Sequence, residues 1–253
     1  MAQKNEITKK PTTELADASL FTGQGESGFE GTSAETFKTP FLKVLQALSP
    51  ELKRNDPKYL QGALAGQLYN TATNTAVDTI DVIVLKVSHS LIAWRPDRGG
   101  FAGHYPKAQE DKVVVHRDGM KKLDAEGNDV MDTLEFFCMD IKQPSNVFIL
   151  ALSSASFKHG RSFATRLRTL QANGKPTNVS WAGIWQISTV EETKDSNSWY
   201  TIGNTPTFVR FVTKEERDNL ILPAQEMLKQ AQTDYSSMRE TESQDSASSS
   251  VQY

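Results

Sequence analysis

The pattern of hydrophobic and polar positions divides the chain into a polar beginning, an apolar middle and a polar end. Residues 1–36 are rich in Lys, Thr, Glu, Ser and Gly, and residues 231–253 are rich in Ser, Thr, Gln and acidic side chains. Neither segment has enough aliphatic side chains to bury an apolar face. The pattern therefore predicts a flexible N-terminal arm (1–36), one folded domain (37–230) and a flexible acidic, Ser-rich tail (231–253).

Three segments repeat apolar residues at intervals of three and four, the spacing of an amphipathic helix. The first covers residues 40–48 and the second covers residues 161–172, where an Asn-Gly pair follows as a helix stop. The third covers residues 214–232, and we expect Pro223 to kink or divide it. The sequence thus predicts three helices.

Between these helices the chain is dense in β-branched and aromatic residues, which favour strands. The segments TIDVIVLKV and SLIAWR, from Thr79 to Arg95, are nearly contiguous. Further strands are predicted at residues 113–115, 133–141, 147–152, 181–191, 198–202 and 207–212, and loops at residues 51–74 and 96–107. This order predicts an α+β single domain with a mostly antiparallel, twisted sheet or an OB-like (oligonucleotide-binding) barrel.

Two features restrict the location of the protein. The longest apolar runs, such as Val147 to Leu152, are far shorter than the roughly 18 residues of a membrane span. The lone Cys138 lies in the apolar string Phe136 to Met139, which indicates a buried structural thiol in a reducing compartment. We therefore expect a cytoplasmic protein without a membrane partner.

Charge is distributed unevenly along the chain. The net charge is −3, yet the stretch from Ile141 to Val190 contains no Asp or Glu. Its cations are Lys142, Lys158, Arg161, Arg166, Arg168 and Lys175. A plain solvated helix is the usual interpretation of a charge run, but a purely solvated surface normally mixes charges of both signs. The missing acids therefore leave an anion-binding face and a solvated helix equally open.

The predicted helix at residues 161–172 has two distinct faces. Arg161 and Arg168 lie on one side, extended by Lys158 if the helix begins early, while Phe163 and Leu167 lie on the other. Guanidinium groups are always charged and offer a fork of donors that suits phosphate. The predicted phosphate contacts are Lys158, Arg161, Arg166, Arg168 and Lys175.

The segment WRPDRGGFAGHYPK, residues 94–107, mixes cations with aromatic rings and glycines. Aromatic faces stack on unpaired bases and contribute about 1–3 kcal/mol each, while cations follow the phosphates. The predicted contacts here are Trp94, Arg95, Arg98, Phe101 and Tyr105. The alternative is a glycine-aromatic loop whose rings turn inward.

A second aromatic group is formed by Trp181, Trp185, Trp199 and Tyr200. Trp181 and Trp185 are four residues apart, which places them on one face if both belong to the same strand. Exposed rings would form a stacking platform and buried rings would form core, and core is the preferred interpretation.

Catalytic motifs are missing from the sequence. His89, His104, His116 and His159 are scattered without a zinc-ligand spacing, and no Gly-x-Ser-x-Gly elbow occurs. Acidic pairs such as Asp78 and Asp81, or Asp129 and Asp132, stand alone. We expect no enzyme activity, no cofactor and no metal site.

The string FKTPFLKVLQALSPELKRNDPKYLQGALAGQLYNTATN, with the β-rich body and GGFAGHYP that follow it, resembles a family of small bacteriophage proteins encoded among replication and early-transcription genes. Some members are described as single-stranded DNA-binding proteins. The chain also resembles the Drc-type single-stranded-DNA-binding RNA polymerase cofactors of phages that carry a virion RNA polymerase. The likeness covers residues 37–212. It implies single-stranded DNA binding in phage DNA replication, recombination or early transcription, in the cytoplasm of the infected bacterial host, with self-association into an oligomer along the strand.

The acidic tail allows two interpretations. Asp234, Glu240, Glu242 and Asp245 outnumber Arg239, so the tail could compete with DNA for a basic face or reach RNA polymerase or replication proteins. A plain solubilising tail is the alternative. The main alternative to DNA binding is therefore a protein-binding adaptor or cofactor of RNA polymerase or the replisome. A virion structural protein is the next alternative.

Overall fold

Two long antiparallel strands from the middle of the sequence pair with each other and form the centre of the fold. The computed structural model describes residues 40–96, 100–119, 121–194, 197–204 and 206–231, all of them within the compact unit Ala34–Tyr253. In chain order the strands are β1 (Leu42–Val44), β2 (Leu68–Asn70), β3 (Thr75–Val77), β4 (Ile80–Trp94), β5 (Phe101–Pro106), β6 (His116–Asp118), β7 (Lys121–Leu123), β8 (Asp129–Asp140), β9 (Val147–Ser153), β10 (Gln171–Ala172), β11 (Lys175–Pro176), β12 (Gly183–Ile187), β13 (Val190–Lys194), β14 (Asn197–Thr201) and β15 (Thr207–Phe211). The helices are α1 (Glu110–Val113), α2 (Phe157–Thr169), α3 (Lys214–Glu216) and α4 (Leu222–Ala231), and a π-helical turn, Arg217–Ile221, joins α3 to α4.

The main sheet is built on the antiparallel pair β4 and β8. Their register runs from Val82 opposite Asp140 to Trp94 opposite Asp129, with a bulge between Val84 and Lys86. The strand order is β15-β12-β4-β8-β7-β6, with β5 also on β4 and β9 also on β8. Every strand pair among the described residues is antiparallel and the sheet is not closed, so the α+β single domain is confirmed in its open-sheet form.

Both faces of this sheet are covered by helix. We call α3, the π-helical turn and α4 together the C-terminal helix. Because successive side chains of a strand point to opposite faces, Val82 and Val84 of β4 pack with α2, whereas Ile83 packs with the C-terminal helix. Phe163 of α2 stacks on Phe136 of β8 with ring centroids 5.0 Å apart. Burial on both faces explains why residues 82–85 of β4 and 136–139 of β8 are continuous apolar runs rather than alternating patterns.

The first predicted helix is wrong. Residues 42–44 form β1, which pairs with β2, and Phe41 bridges to Ile149 of β9. Leu48, which the helical pattern counted as apolar face, is 80% exposed. The backbone of β1 pairs with a strand that lies 24 to 28 residues later in the chain, from Val44 opposite Leu68 to Leu42 opposite Asn70. Hydrogen bonds at that separation leave no trace in a local pattern.

Two predictions around the β4–β5 hairpin are also wrong. The predicted loop at 96–107 contains β5, whose residues pair with Ser90 to Trp94. The predicted strand at 113–115 falls at the end of α1, and the strand begins only at His116. Val113 and Val114 instead pack against Leu91, so their β-branched side chains serve burial and not strand pairing.

The other two helices are confirmed with shifted bounds. Helix α2 begins at Phe157 and ends at Thr169. Asn173 and Gly174, with φ of 51° and 75°, form the tip of the β10–β11 hairpin rather than a helix stop, because two left-handed residues suit a tight hairpin turn. The C-terminal helix is interrupted as expected, but by the π-helical turn that ends just before Pro223.

Cys138 is fully buried in the core, and burial raises the pKa of its thiol. Among the described residues, no helix has the length and apolar character needed to cross a membrane. The predicted N-terminal arm and acidic tail lie outside the described residues, apart from Ala231, and their boundaries stay predictions.

Replacing Phe163 should destabilise the fold severely. Phe163 is completely buried between Phe136 and Trp185, so Phe163→Ala removes a large ring and leaves a cavity. We expect a loss of about 3–5 kcal/mol in the free energy of unfolding, measured by urea denaturation. Thr165→Ala, on the exposed side of the same helix, should change it by less than about 1 kcal/mol. Equal effects of the two substitutions would contradict the placement of α2.

Candidate nucleic-acid interface

The exposed side of α2 carries a row of three cations and one threonine. We call this row the α2 stripe and define it as Lys158, Arg161, Thr165 and Arg168. At about 1.5 Å per residue the stripe extends for roughly 15 Å. Arg161 and Arg168 are exposed, and in the part of the chain that the structure describes no carboxylate pairs with either guanidinium. The hydroxyl of Thr165 donates to the carbonyl of Arg161 at 2.9 Å and so adds no competing charge.

The first cation of the stripe is partly neutralised. Lys158 Nζ lies 3.1 Å from Glu192 Oε2 on β13, and His159 Nε2 lies 2.7 Å from Glu192 Oε1. Burial alone would raise the pKa of Glu192, but Lys158 and His159 outweigh it and hold that pKa below its usual range. The unpaired charge of the stripe therefore lies in its C-terminal part, at Arg161 and Arg168.

Arg166 differs from the other predicted cations because its guanidinium turns inward. It lies 5.8 Å from the ring centroids of both Phe163 and Trp185, and its Nη1 donates to the carbonyl of Pro206 at 2.6 Å. Burial lowers the pKa of this arginine. Arg166 thus lies beneath the α2 stripe and connects α2 to the residue that precedes β15.

Lys175 extends the basic surface beyond the helix. It stands exposed on the β10–β11 hairpin that directly follows α2, paired with Ala172. Two hydrogen bonds from Thr177, from its backbone N–H at 2.9 Å and its hydroxyl at 3.2 Å, end on the carbonyl of Leu170 and hold the hairpin against the end of the helix. Lys175 is therefore held near the C-terminal end of the α2 stripe.

The predicted loop residues divide into exposed and buried groups at the β4–β5 hairpin. Trp94 is 40% exposed at the tip, and its ring meets that of Phe101 edge-on at 6.2 Å. Phe101 is only 6% exposed, so it supports Trp94 from below. Arg95 is exposed, and its backbone N–H donates to the carbonyl of Gly100 at 2.9 Å. Arg98 lies outside the described residues.

Tyr105 is half-buried against the apolar cluster of Leu91, Ala93 and Val130. Its ring covers Gly103, where a Cβ atom would come within 2.5 Å of the hydroxyl oxygen. Gly103 therefore allows the tyrosine to fold back on its own strand. Of the aromatic residues predicted in this segment, Trp94 offers the most accessible ring for stacking.

Next to the β4–β5 hairpin, the carboxylates of Asp132 and Glu110 form ion pairs with the neighbouring lysines. Asp132 Oδ1 lies 2.6 Å from Lys107 Nζ and 2.9 Å from His89 Nε2, and Asp132 Oδ2 lies 2.5 Å from Lys122 Nζ. Burial raises the pKa of Asp132, but these three partners outweigh it and hold the pKa far below its usual range. The charges of Lys107 and Lys122 are therefore neutralised by ion pairs within the fold, which makes these lysines poor phosphate contacts.

Glu110 of α1 completes this network. Lys107, Lys122 and Arg117 contact its carboxylate at 2.5, 2.6 and 2.9 Å. Hydrogen bonds from Lys107, Lys122 and Arg117 lower the pKa of Glu110 to about 2. The network fastens α1 and β7 to β8 at the base of the hairpin.

A serine, a histidine and a glutamate meet inside the sheet, but their geometry differs from that of a hydrolase. Ser90 Oγ donates to Glu135 Oε2 at 2.6 Å, and His104 Nε2 lies 2.9 Å from the same oxygen. A catalytic triad needs the histidine between the serine and the carboxylate. Here both residues contact one carboxylate oxygen, so the trio links β4, β5 and β8. Among the described residues no cluster of side chains could hold a metal ion.

Two shallow grooves meet at Ser154, just before α2. One, of about 540 Å³, runs between α2 and the β13–β14 hairpin, and the other, of about 490 Å³, runs toward β7 and β8. Their charged residues are of both signs: Lys158, Lys194, Lys121, Lys122, Glu192, Asp129 and Asp132. The mixed charge makes these grooves weaker phosphate sites than the C-terminal part of the α2 stripe.

Comparison with known proteins identifies the family. The sequence matches the model of the Pam3 phage gp34-like protein family over residues 9–244. The chain belongs to this family. Neither a curated protein nor a solved structure matches the gp34-like chain. Its membership establishes a phage protein, which confirms the coarser part of the resemblance, while single-stranded DNA binding and a Drc-type role stay predictions.

The prediction that Trp181 and Trp185 of the gp34-like chain lie on one face of a strand is wrong. Trp181 lies in a 3₁₀ turn before β12 and packs on the face of the C-terminal helix, whereas Trp185 is buried on the α2 face. The two rings are separated because β12 begins only at Gly183. As preferred from the sequence, Trp185 is core. Through Phe208 it connects to Phe211, an exposed ring that the sequence pattern did not mark.

Acid should destabilise the gp34-like chain in part through Glu110. Because the pKa of Glu110 is lowered from 4.5 to about 2, the stabilisation from its ion pairs is present above pH 4.5 and is lost as the pH falls toward 2. We expect Glu110→Gln to lower the urea midpoint at pH 7 and to flatten its decline between pH 5 and pH 2. Glu191→Gln, at an exposed site on β13, is the control. An unchanged pH profile in Glu110→Gln would contradict the network.

Proposed function

We propose that the protein binds single-stranded DNA without catalysis and largely without sequence preference, with the C-terminal part of the α2 stripe and Lys175 as its phosphate-contacting surface. The observation that carries this proposal is the group of three exposed cations, Arg161, Arg168 and Lys175, none of which pairs with a carboxylate among the described residues. No ion pair with a described carboxylate neutralises their charge. It is therefore available to an external anion.

The surrounding sequence supports a polyanion as that ligand. No acidic side chain occurs from Ile141 to Val190, so α2 and the β10–β11 hairpin contribute no negative charge of their own to this surface. The two guanidinium groups can each take a phosphate in a forked arrangement. Contacts to phosphates carry no base information, which supports binding without sequence preference.

The β4–β5 hairpin supplies a second contact region in this proposal. Trp94 presents an accessible ring, Arg95 stands beside it and Phe101 supports it from below. Stacking on a base is tolerant of sequence because every base has a flat face. A single strand is favoured over a duplex, since the bases of a duplex are already stacked and paired.

Phage family membership supports a role in phage DNA replication, recombination or early transcription, in the cytoplasm of the infected host. The proposal includes self-association along the strand. It also includes contact of the acidic tail with RNA polymerase or replication proteins, as a Drc-type cofactor would make. The alternative is an adaptor that binds those proteins without DNA.

The proposal is tested first by fluorescence anisotropy of labelled oligo-dT and of a matched duplex at two salt concentrations. We expect tight, salt-sensitive binding to oligo-dT and weak binding to the duplex. No binding to either DNA at low salt would overturn the proposal and favour the adaptor, which predicts a pull-down of polymerase or replication proteins that survives nuclease treatment.

Removing the three unpaired cations should weaken binding and flatten its salt dependence. Each phosphate contact contributes about 0.7 to the slope of log K against log salt for a single strand, so the triple variant Arg161→Ala, Arg168→Ala, Lys175→Ala should lower the slope by about 2. The matched control is Lys43→Ala, Lys53→Ala, Arg54→Ala, which removes the same charge from exposed sites on β1 and the loop after it. Equal losses in both triple variants would show a general charge effect and exclude the α2 stripe.

Truncating the exposed hairpin ring should lower affinity without changing the salt slope. Trp94→Ala removes a stacking surface but no charge, so we expect oligo-dT binding to weaken by about fivefold or more. Trp94→Phe should restore part of the affinity. An affinity of Trp94→Ala equal to that of the wild type would place base contacts elsewhere.

A further inference from the structure

A ladder of aromatic rings runs from the core to the edge of the main sheet. Phe163 meets Trp185 at 5.4 Å between centroids, Trp185 meets Phe208 at 5.6 Å, and Phe208 meets Phe211 at 4.9 Å, each pair edge-on. Exposure rises along this ladder, from complete burial at Phe163 to 39% at Phe211. The ladder therefore ends in an accessible ring that is supported from behind by other rings.

This ring lies on the same side of the sheet as α2. Arg166 of α2 reaches the carbonyl of Pro206, just before β15, at 2.6 Å. Further along, the side chains of Leu170 and Phe208 meet above Gly183, where a Cβ atom would come within 3.3 Å of Leu170 and 2.8 Å of Phe208. The C-terminal half of α2 and strand β15 thus run side by side.

Phe211 stands at the end of that shared run. It pairs with Gly183, so their Cα atoms are about 5 Å apart, and Gly183 in turn contacts the residue that follows α2. Two of the proposed phosphate contacts lie close to Leu170 in the chain: Arg168 is two residues before it, and Lys175 is on the hairpin that Thr177 fastens to its carbonyl. An accessible ring and unpaired cations therefore border one surface.

We infer that Phe211 is a stacking site for an unpaired base of the strand whose phosphates lie on the α2 stripe. The inference rests on the proposed function and adds to it a second ring, besides Trp94, that stacks on a base. A base placed on Phe211 has its own phosphate within reach of the cations at the end of α2. Duplex DNA offers no free base face there, so Phe211 contributes to discrimination between single strands and duplex.

The edge strand itself argues against a second copy of the chain as the occupant. Two residues of β15, Val209 and Arg210, interrupt a regular edge: Val209 falls at a register shift opposite Ile184 and Trp185, and Arg210 is charged and paired with Glu216 at 2.6 Å. Bulges and charged side chains are the features that keep edge strands from pairing with one another. The accessible ring at this edge therefore suits a flat ligand better than another strand.

The test compares two ligands that differ only in their bases. Binding of oligo-dT and of an abasic oligonucleotide of the same length is measured for the wild type, Phe211→Ala, Phe211→Leu and Phe211→Tyr. We expect Phe211→Ala and Phe211→Leu to weaken oligo-dT binding by about five- to 150-fold with an unchanged salt slope. Phe211→Tyr should keep wild-type affinity, and on the abasic strand all four proteins should bind alike. Val209→Ala, two residues away and also exposed, is the matched control.

The outcomes separate this inference from the proposed function. Wild-type binding to oligo-dT with no effect of Phe211→Ala or Phe211→Leu overturns the inference and leaves the function intact. Equal losses on oligo-dT and on the abasic strand also overturn it, since they show a structural or charge effect. A change of oligomeric state in Phe211→Leu by sedimentation, with oligo-dT affinity unchanged, assigns the edge to a second copy. Absence of wild-type binding overturns both proposals.

Discussion

The rest of the structure depends on the antiparallel pairing of β4 with β8. These two strands provide the central ladder of the main sheet, and every other strand of that sheet joins one of them directly or through a neighbour. The pairing also fixes which side chains face α2 and which face the C-terminal helix, because alternate residues of both strands are buried on opposite sides. The bulge near Val84 locally changes this alternation, and the ladder then continues into the β4–β5 hairpin.

Helix α2 combines a buried inner face with a charged outer face, the face that the proposed function assigns to DNA. Its inner face, with Phe163 and Leu167, is fully engaged in the core, so the helix cannot move or rotate without a large loss of buried surface. Its outer face carries charge that no described carboxylate neutralises at Arg161 and Arg168. Arg166 lies between the two faces and uses its charge on aromatic rings and a backbone carbonyl. If DNA binds this face as proposed, the rigid helix holds the cations in position beforehand and so reduces the entropic cost of binding.

The sequence predicted those parts of the fold whose signals are local. The run from Thr79 to Arg95, the β8–β9 hairpin and helix α2 were all recognised because each has a long or strongly periodic pattern. The helix prediction for residues 42–44 failed because these residues pair with β2, and nothing in the local spacing indicates a distant partner. The same reason explains β5, whose glycines and aromatics resemble a loop until β4 is present beside them.

The candidate site was predicted in its cations better than in its aromatics. Exposed charge follows from helical spacing, so Arg161 and Arg168 could be placed from the sequence, but the inward turn of Arg166 depends on Trp185 and Pro206. Lys107, at the end of the cationic segment 94–107, is neutralised by Asp132 and Glu110, and its sequence neighbours do not indicate this pairing. The sequence pattern does not mark Phe211, because its exposure results from the position of β15 at the sheet edge, which only the strand order reveals.

The length of β4 sets a distance between the two proposed contact regions. Strand β12, which carries β15 and Phe211 beside it, pairs with β4 as far as Ile83, whereas Trp94 ends the strand at the hairpin. At about 3.3 Å per residue these two points are roughly 35 Å apart along the strand. A strand of DNA touching both would cover about ten nucleotides at a stacked spacing of about 3.4 Å. Strand β4 would then act as a ruler that defines the footprint of one protein molecule on the DNA.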